Sequence, residues 1–140
     1  MNILVSKCLL GEICRYDGKS CKNEKVVELG DKYTLIGVCP EILGGLSVPR
    51  EPCEIKDGAV LTKSGKDVTA AFKIGAEKVF EIAKDKDIRF AILKARSPSC
   101  GLGKIYDGNF RGKLTDGNGI TAEKLYINGV HIMTEEEIKL

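Results

Sequence analysis

The chain has 140 residues, which is enough for one domain with a hydrophobic core and short for two. Its 22 basic and 20 acidic residues leave a net charge of +2, without a block of like charges that could follow a nucleic-acid backbone. No apolar segment approaches the ~18 residues of a membrane span, and the first residues lack a signal-peptide layout. We therefore expect a single cytoplasmic domain over residues 1–140, with neither membranes nor polymeric nucleic acid as partners.

The first half of the chain predicts strands alternating with a helix. Residues 3–5 and 35–38 are short apolar runs typical of buried strands. Between them, Asn23 can cap a short helix. Residues 54–61 then predict a small hairpin at the sheet periphery, turning at Asp57-Gly58.

The second half predicts two more helices and two more strands. Asp67 or Thr69 opens the longest helix, whose apolar residues recur at steps of three and four. Residues 90–93 form a buried strand, Thr121 can cap a last helix, and residues 130–133 form the last strand. This order predicts an α/β protein, a single three-layer Rossmann-like domain with a mostly parallel sheet and a small peripheral hairpin.

Six cysteines need an explanation, because in a reducing compartment cysteines more often bind metals or do chemistry than form disulfides. A single cysteine taken alone is more often a small core residue. Cys8, Cys39 and Cys100 differ because each follows a predicted buried strand. In a parallel sheet such exits share one edge, with neighbouring strands ~4.8 Å apart, and ligands bind there. The three thiols can therefore meet at one metal centre, whereas Cys53 follows no strand and is interpreted as a packing or surface thiol.

The kind of metal follows from the donor atoms. Three thiols without a neighbouring histidine suit zinc or an iron-sulfur cluster and do not suit calcium or magnesium. A set one ligand short of a closed site leaves a position open for chemistry. Glu41, Ser97 and Ser99 lie near these thiols in the sequence and can orient a water or a substrate. The only histidine, His131, lies inside a predicted strand and is interpreted as structural, so a histidine-based triad is unsupported.

A second candidate segment, residues 14–18, brings Arg15, Tyr16 and Asp17 together just before a turn signal at Gly18. Its spacing alone fits both a solvated turn and a loop that contacts a ligand.

Five short segments of the sequence together resemble the thiouracil desulfidase family, and the resemblance covers nearly the whole chain. They are Val5-Ser6-Lys7-Cys8-Leu9-Leu10-Gly11, Arg15-Tyr16-Asp17-Gly18, Val38-Cys39-Pro40-Glu41, Pro49-Arg50 and Arg96-Ser97-Pro98-Ser99-Cys100-Gly101. The resemblance implies removal of sulfur from thiolated uracil compounds, thiouracil or 4-thiouridine monophosphate. The oxo product and hydrogen sulfide would form without net redox change.

The same resemblance implies a set of site residues. Cys8, Cys39 and Cys100 would hold a 4Fe-4S cluster with one iron left open for the substrate sulfur. Glu41 would be the acid/base and Ser97 its partner in handling water. Arg15, Asp17 and Ser99 are candidate substrate contacts. Cys14, Cys21 and Cys53 stay outside the ligand set, and Lys7 stands where family members often have a small residue.

Two other functions are weighed against this one. A non-catalytic metal-binding or sulfur-trafficking protein could use the same three cysteines. A thiol-dependent redox enzyme is weakened, because the chain has no Cys-x-x-Cys pair. The small size of the chain favours a small thiolated pyrimidine or nucleotide as partner, and both a monomer and a dimer remain open.

Overall fold

The computed structural model describes residues 1–140 and is built around a parallel β-sheet. In chain order the strands are β1 Asn2–Ser6, β2 Thr34–Val38, β3 Cys53–Lys56, β4 Ala59–Thr62, β5 Phe90–Leu93, β6 Lys104–Tyr106, β7 Leu114–Asp116 and β8 His131–Thr134. The α-helices are α1 Glu24–Glu28, α2 Pro40–Leu43, α3 Thr69–Asp85 and α4 Ile120–Ile127. Two 3-10 helices span Lys7–Leu10 and Leu29–Asp31. No helix has the length and apolar character needed to cross a membrane.

The main sheet has the order β2-β1-β5-β8, and every neighbouring pair is parallel. In its register, Ile3 of the inner strand β1 pairs with Leu35 on one side and with Phe90 on the other. Parallel neighbours require crossover connections, and these carry the helices. The strands β2, β1 and β5 therefore end side by side at one edge of the sheet.

The two faces of the sheet bury separate clusters, because successive side chains of a strand point to opposite faces. On one face, Leu4, Ala91 and Leu93 pack against Val79 of α3 and Leu125 of α4. The opposite face contributes the strand residues Ile3, Val5, Ile92 and Met133, which pack with Val26 of α1 and Leu9 of the first 3-10 helix. The predicted α/β class, with helices covering a mostly parallel sheet, is confirmed.

The predicted peripheral hairpin is confirmed, and a second hairpin was missed. β3 and β4 pair in antiparallel fashion around Asp57 and Gly58, whose φ values of 50° and 81° belong to a tight turn. β6 and β7 form another antiparallel pair. Their strands are only three residues long and lie in a glycine-rich region, so their sequence carries almost no alternating pattern.

The predicted cap at Thr121 is wrong, because Thr121 lies inside α4 and Gly119 occupies the N-cap position. Thr121 is fully buried and its hydroxyl shares a hydrogen bond of 2.9 Å with the hydroxyl of Ser99. A Cβ at Gly119 would lie 2.7 Å from the backbone nitrogen of Cys100. The start of α4 therefore packs directly against the loop that carries Cys100.

A short helix, α2, was also not expected. Pro40 stands at its first position, where the missing N–H costs nothing because that group has no partner within the helix. α2 crosses α3 in close contact: a Cβ at Gly75 would overlap the carbonyl oxygen of Pro40, and one at Gly44 would overlap that of Ala71. The two glycines thus set the position of the helix that carries Glu41.

We predict that Gly75→Ala destabilises the protein although alanine favours helices, because the new Cβ must push α2 away from α3. The expected loss is about 1–3 kcal/mol of unfolding free energy, measured by urea denaturation. Gly30→Ala is the control, because its Cβ would meet only the Leu35 side chain at an ordinary 3.5 Å. Equal stability of the two variants would contradict the packing described here.

Candidate active site

A cavity of about 460 Å³ opens at the carboxyl edge of the parallel sheet. Its lining includes Cys8, Cys39 and Cys100, which follow β1, β2 and β5. These are the three adjacent strands of the sheet, so their exits bring together thiols that are far apart in the sequence. The structure thus brings the three predicted ligand residues to one cavity, while their role as ligands stays a prediction.

Each of the three thiols is presented by a different local structure. Cys39 follows β2 directly and occupies the N-cap position of α2. Cys8 lies in the 3-10 helix after β1. Cys100 lies in a longer loop, in which the Ser97 hydroxyl accepts hydrogen bonds of 3.0 Å from the amides of Ser99 and Cys100.

The start of α4 holds the Cys100 loop from the other side. The amides of Gly119 and Thr121 donate to the carbonyls of Gly101 and Ser99, both at 2.8 Å. Cys100 is consequently fixed through backbone hydrogen bonds on both flanks. Burial raises the pKa of its thiol to about 11, against the opposing effect of neighbouring hydroxyls.

Two further cysteines lie close to this group. The Cys14 thiol interacts with the thiols of both Cys8 and Cys39, and the Cys21 thiol interacts with that of Cys8. The Cys39 thiol also donates to the Cys14 carbonyl at 3.7 Å. All six cysteines are free, and no group of three cysteine, histidine or carboxylate side chains is arranged to hold a single metal ion.

The contacts among these thiols change their acidity in opposite directions. The hydrogen-bonding interactions with Cys39 and Cys8 lower the pKa of Cys14, and Arg50 and Lys7 add to this effect. The same interactions raise the pKa values of Cys8 and Cys39, and burial raises them further.

Cys53 is half-buried at the start of β3 and lines the same cavity. It packs beside the apolar cluster of Val60, Val68 and Phe72, and its thiol donates to the Glu51 carbonyl at 3.6 Å.

A buried ion pair between Glu41 and Arg50 forms part of the cavity wall. The Nε and Nη2 groups of Arg50 both donate to Oε2 of Glu41, and the side chains are only 9% and 15% exposed for Arg50 and Glu41 respectively. Burial raises the pKa of Glu41, and the charge and hydrogen bonds of Arg50 oppose that rise. The pair keeps a carboxylate next to the thiols.

Arg50 also joins several loops at the cavity. Its Nη2 group donates to the carbonyl of Cys14 and its Nη1 group to that of Ser47, both at 3.0 Å. Its backbone amide donates to the Tyr16 carbonyl at 2.7 Å. Pro49-Arg50 is one of the segments that carry the family resemblance, but the sequence alone predicts no role for Arg50. The available signal was an arginine beside a proline in an irregular segment.

The remaining predicted residues are placed unevenly. Ser97, Ser99 and Arg15 line the cavity. Asp17 does not line it; its carboxylate pairs with Arg15 at 3.3 Å and accepts a hydrogen bond from the Lys19 amide. Asp17 therefore reaches the cavity only through the orientation of Arg15.

The C-terminal turn holds the exit of β5, which sequence reasoning also missed. Glu135 accepts a hydrogen bond from the Ala95 amide at 2.7 Å and pairs with Lys94 at 2.8 Å. Glu136 pairs with Arg96. His131, at the opposite end of β8, packs edge-on against Phe90 and does not line the cavity.

Fold and cavity together define an α/β protein with a thiol-lined centre at the carboxyl edge of its parallel sheet. A family model described as 2-thiouracil desulfurase matches residues 3–137, and the chain belongs to that family. The uncharacterized protein YbbK of Bacillus subtilis (strain 168) is 43% identical over 146 residues, which cover 97% of each chain. The solved structure of a 4Fe-4S-dependent thiouracil desulfidase, TudS, is 42% identical, with a TM-score of 0.92 over 98% of this chain and 92% of that one. The resemblance read from the sequence is confirmed.

We predict that Arg50→Met costs about 3–5 kcal/mol of unfolding free energy, because it leaves the Glu41 carboxylate buried without its cation. In a Glu41→Gln background the same change should cost about 1–3 kcal/mol less, since no charge is stranded. Urea denaturation of the four proteins of this cycle measures the coupling. A cost that is equal in both backgrounds would mean that the ion pair is not what Arg50 contributes.

Proposed function

We propose that this protein is an iron-sulfur-dependent desulfidase that converts thiolated uracil compounds, thiouracil or 4-thiouridine monophosphate, to the oxo compound and hydrogen sulfide without net redox change. The observation that carries the proposal is the cavity itself. Three thiols from three adjacent parallel strands line it beside a buried carboxylate. The chain is also a member of the 2-thiouracil desulfurase family.

The side chains around the cavity fit a 4Fe-4S cluster in their chemistry. Thiolates are the soft ligands that such clusters use. Cys8, Cys39 and Cys100 would hold the cluster, and three protein ligands leave one of four irons without a cysteine. When bound, that cluster supplies a Lewis acid for the thiocarbonyl sulfur of the substrate.

Glu41 is the proposed general base. Both hydrogen bonds from Arg50 go to Oε2, which leaves Oε1 free to take a proton from a water molecule. The water oxygen bonds to the thiocarbonyl carbon and the carbon–sulfur bond breaks. The sulfur leaves as hydrogen sulfide with the two protons of that water, one of which Glu41 passes on. Ser97 lines the same cavity, and its oxygen already accepts two amide hydrogen bonds. Its hydroxyl also interacts with the Cys100 thiol, and in the proposed reaction its hydrogen turns to orient the water.

Charge and size support a small anionic substrate. The cations Lys7 and Lys63, which form no ion pair, line the cavity together with Arg15, Lys94 and Arg96, each of which pairs with a carboxylate. This lining suits a nucleotide phosphate, as in 4-thiouridine monophosphate. Arg15 and Ser99 are the proposed direct contacts, with Asp17 acting through its ion pair with Arg15. We further propose one desulfidase domain over residues 1–140, acting in the cytoplasm, where the six free thiols would stay reduced.

A second candidate function is non-catalytic metal binding or sulfur trafficking, called the storage function below. The observation in its favour is the surplus of thiols, since Cys14 and Cys21 both interact with Cys8. This function would require the same cluster ligands but no base, so a variant that lacks only the base separates the two candidates.

We predict that Cys100→Ala abolishes cluster retention, whereas Cys14→Ser retains the cluster although the Cys14 thiol lies beside Cys8 and Cys39. Iron and sulfide content and visible absorbance after anaerobic reconstitution give the result. Cys53→Ala is a matched control, because it lines the cavity outside the proposed ligand set. Loss of the cluster in Cys14→Ser with retention in Cys100→Ala would overturn the ligand assignment.

We predict that Glu41→Gln keeps the cluster and loses turnover by about 10²–10⁴-fold, because the amide has the shape of the carboxylate and cannot take the proton. The measurement follows thiouracil absorbance and released sulfide. Glu51→Gln is the control, since Glu51 also lines the cavity but is engaged with Ser64. A Glu41→Gln variant with full activity would exclude Glu41 as the base, and a loaded wild type without turnover would favour the storage function.

A further inference from the structure

The loop between β6 and β7, residues 107–113, forms a wall of the cavity that the proposed reaction does not explain. Tyr106, Phe110 and Gly112 from this region line the cavity. An isolated parallel bridge between Arg96 and Ile105 attaches β6 to the exit of β5. The hairpin therefore extends the wall that begins at the Cys100 loop and adds an aromatic surface to it.

Phe110 adopts an unusual backbone conformation there. Its φ of 53° lies in the left-handed region, which bulky side chains adopt rarely and at a cost of about 1–3 kcal/mol. Such a conformation persists only where surrounding contacts impose it. Glycine would adopt it freely, and Gly108 and Gly112 in the same loop do have positive φ values. A phenylalanine at this position thus points to a requirement for its side chain.

Glu54 imposes the conformation. Its Oε1 atom accepts hydrogen bonds from the amides of Gly108 at 3.0 Å and Phe110 at 3.1 Å. A Cβ at Gly108 would lie 2.7 Å from the Ile55 carbonyl oxygen, so the loop lies directly on β3. Asn109 adds a side-chain contact to Lys56 at 3.2 Å. One carboxylate on β3 thereby fixes the loop and the ring that it carries.

We propose that Phe110 is a specificity-determining residue whose ring packs against the flat face of an aromatic substrate, and that Glu54 is the positioning residue that holds it. Tyr106 extends the same surface. Offset stacking between aromatic rings contributes about 0.5–1.5 kcal/mol beyond the burial of area. This inference rests on the proposed function and adds a preference for planar, aromatic thiocarbonyl compounds over saturated ones.

The test compares two probes in the cluster-loaded enzyme, 2-thiouracil and 5,6-dihydro-2-thiouracil. Both have the same thiocarbonyl group and similar size, but the second ring is puckered and not aromatic. Phe110→Leu should lower kcat/KM for 2-thiouracil by about 3- to 10-fold, mainly through KM, because leucine is apolar but cannot stack. Its effect on the dihydro compound should stay below about twofold on the same grounds. Phe110→Tyr should restore the wild-type preference.

Glu54 is tested in the same way. Glu54→Leu should reproduce the loss of preference, whereas Glu54→Gln keeps an acceptor oxygen and should resemble the wild type. Tyr126→Leu, at an exposed aromatic residue that does not line the cavity, is the control and should leave the preference unchanged. Equal losses for the two probes in Phe110→Leu would overturn this inference and leave the desulfidase proposal intact. A loaded wild type that turns over neither probe would overturn this inference, and one that also fails to turn over 4-thiouridine monophosphate would overturn the desulfidase proposal.

Discussion

Parallel pairing of β2, β1 and β5 is the constraint on which the rest of the structure depends. Because the three strands run in the same direction and are neighbours, they must end at the same edge of the sheet. Cys39 follows one of these strands directly, Cys8 lies in the 3-10 helix after the second, and Cys100 lies in the loop after the third. The apolar faces that bury the sheet therefore also determine which thiols meet, so the stability of the core and the geometry of the cavity have a common origin.

The charged groups of the site are positioned by the sheet, but a separate interaction, the ion pair of Glu41 with Arg50, affects the charge on Glu41. Burial alone would favour a protonated Glu41, and the guanidinium of Arg50 opposes this effect. The same guanidinium bonds to the carbonyl of Cys14 and so ties the carboxylate to the thiol-bearing loop. In the proposed reaction this arrangement keeps a proton acceptor beside the thiols. Glu41 and Arg50 are in direct contact. Glu54 plays a comparable part elsewhere on the cavity wall, where one carboxylate fixes the loop of Phe110.

The parallel sheet and the placement of three cysteines at its edge could both be predicted from the sequence, because both follow from local patterns. Apolar runs predict strands, and a residue just past a strand end has its position fixed by the parallel topology. The placements of Arg50 and Cys14 could not be predicted, since each depends on where an irregular segment folds back. The Thr121 cap failed for a related reason: its hydroxyl bonds to Ser99, which is 22 residues distant in the chain, and this tertiary contact outweighs its local capping preference.

The proposed centre is one cluster shared by Cys8, Cys39 and Cys100, in which an iron has no protein ligand. Its most direct test is the crystal structure of the anaerobically reconstituted protein, with diffraction data collected on both sides of the iron absorption edge. We expect four iron atoms at the cavity, three of them each bound by one of these sulfurs and the fourth by no cysteine. A fourth iron bound to Cys14, or a single metal ion shared by the thiols, would contradict it.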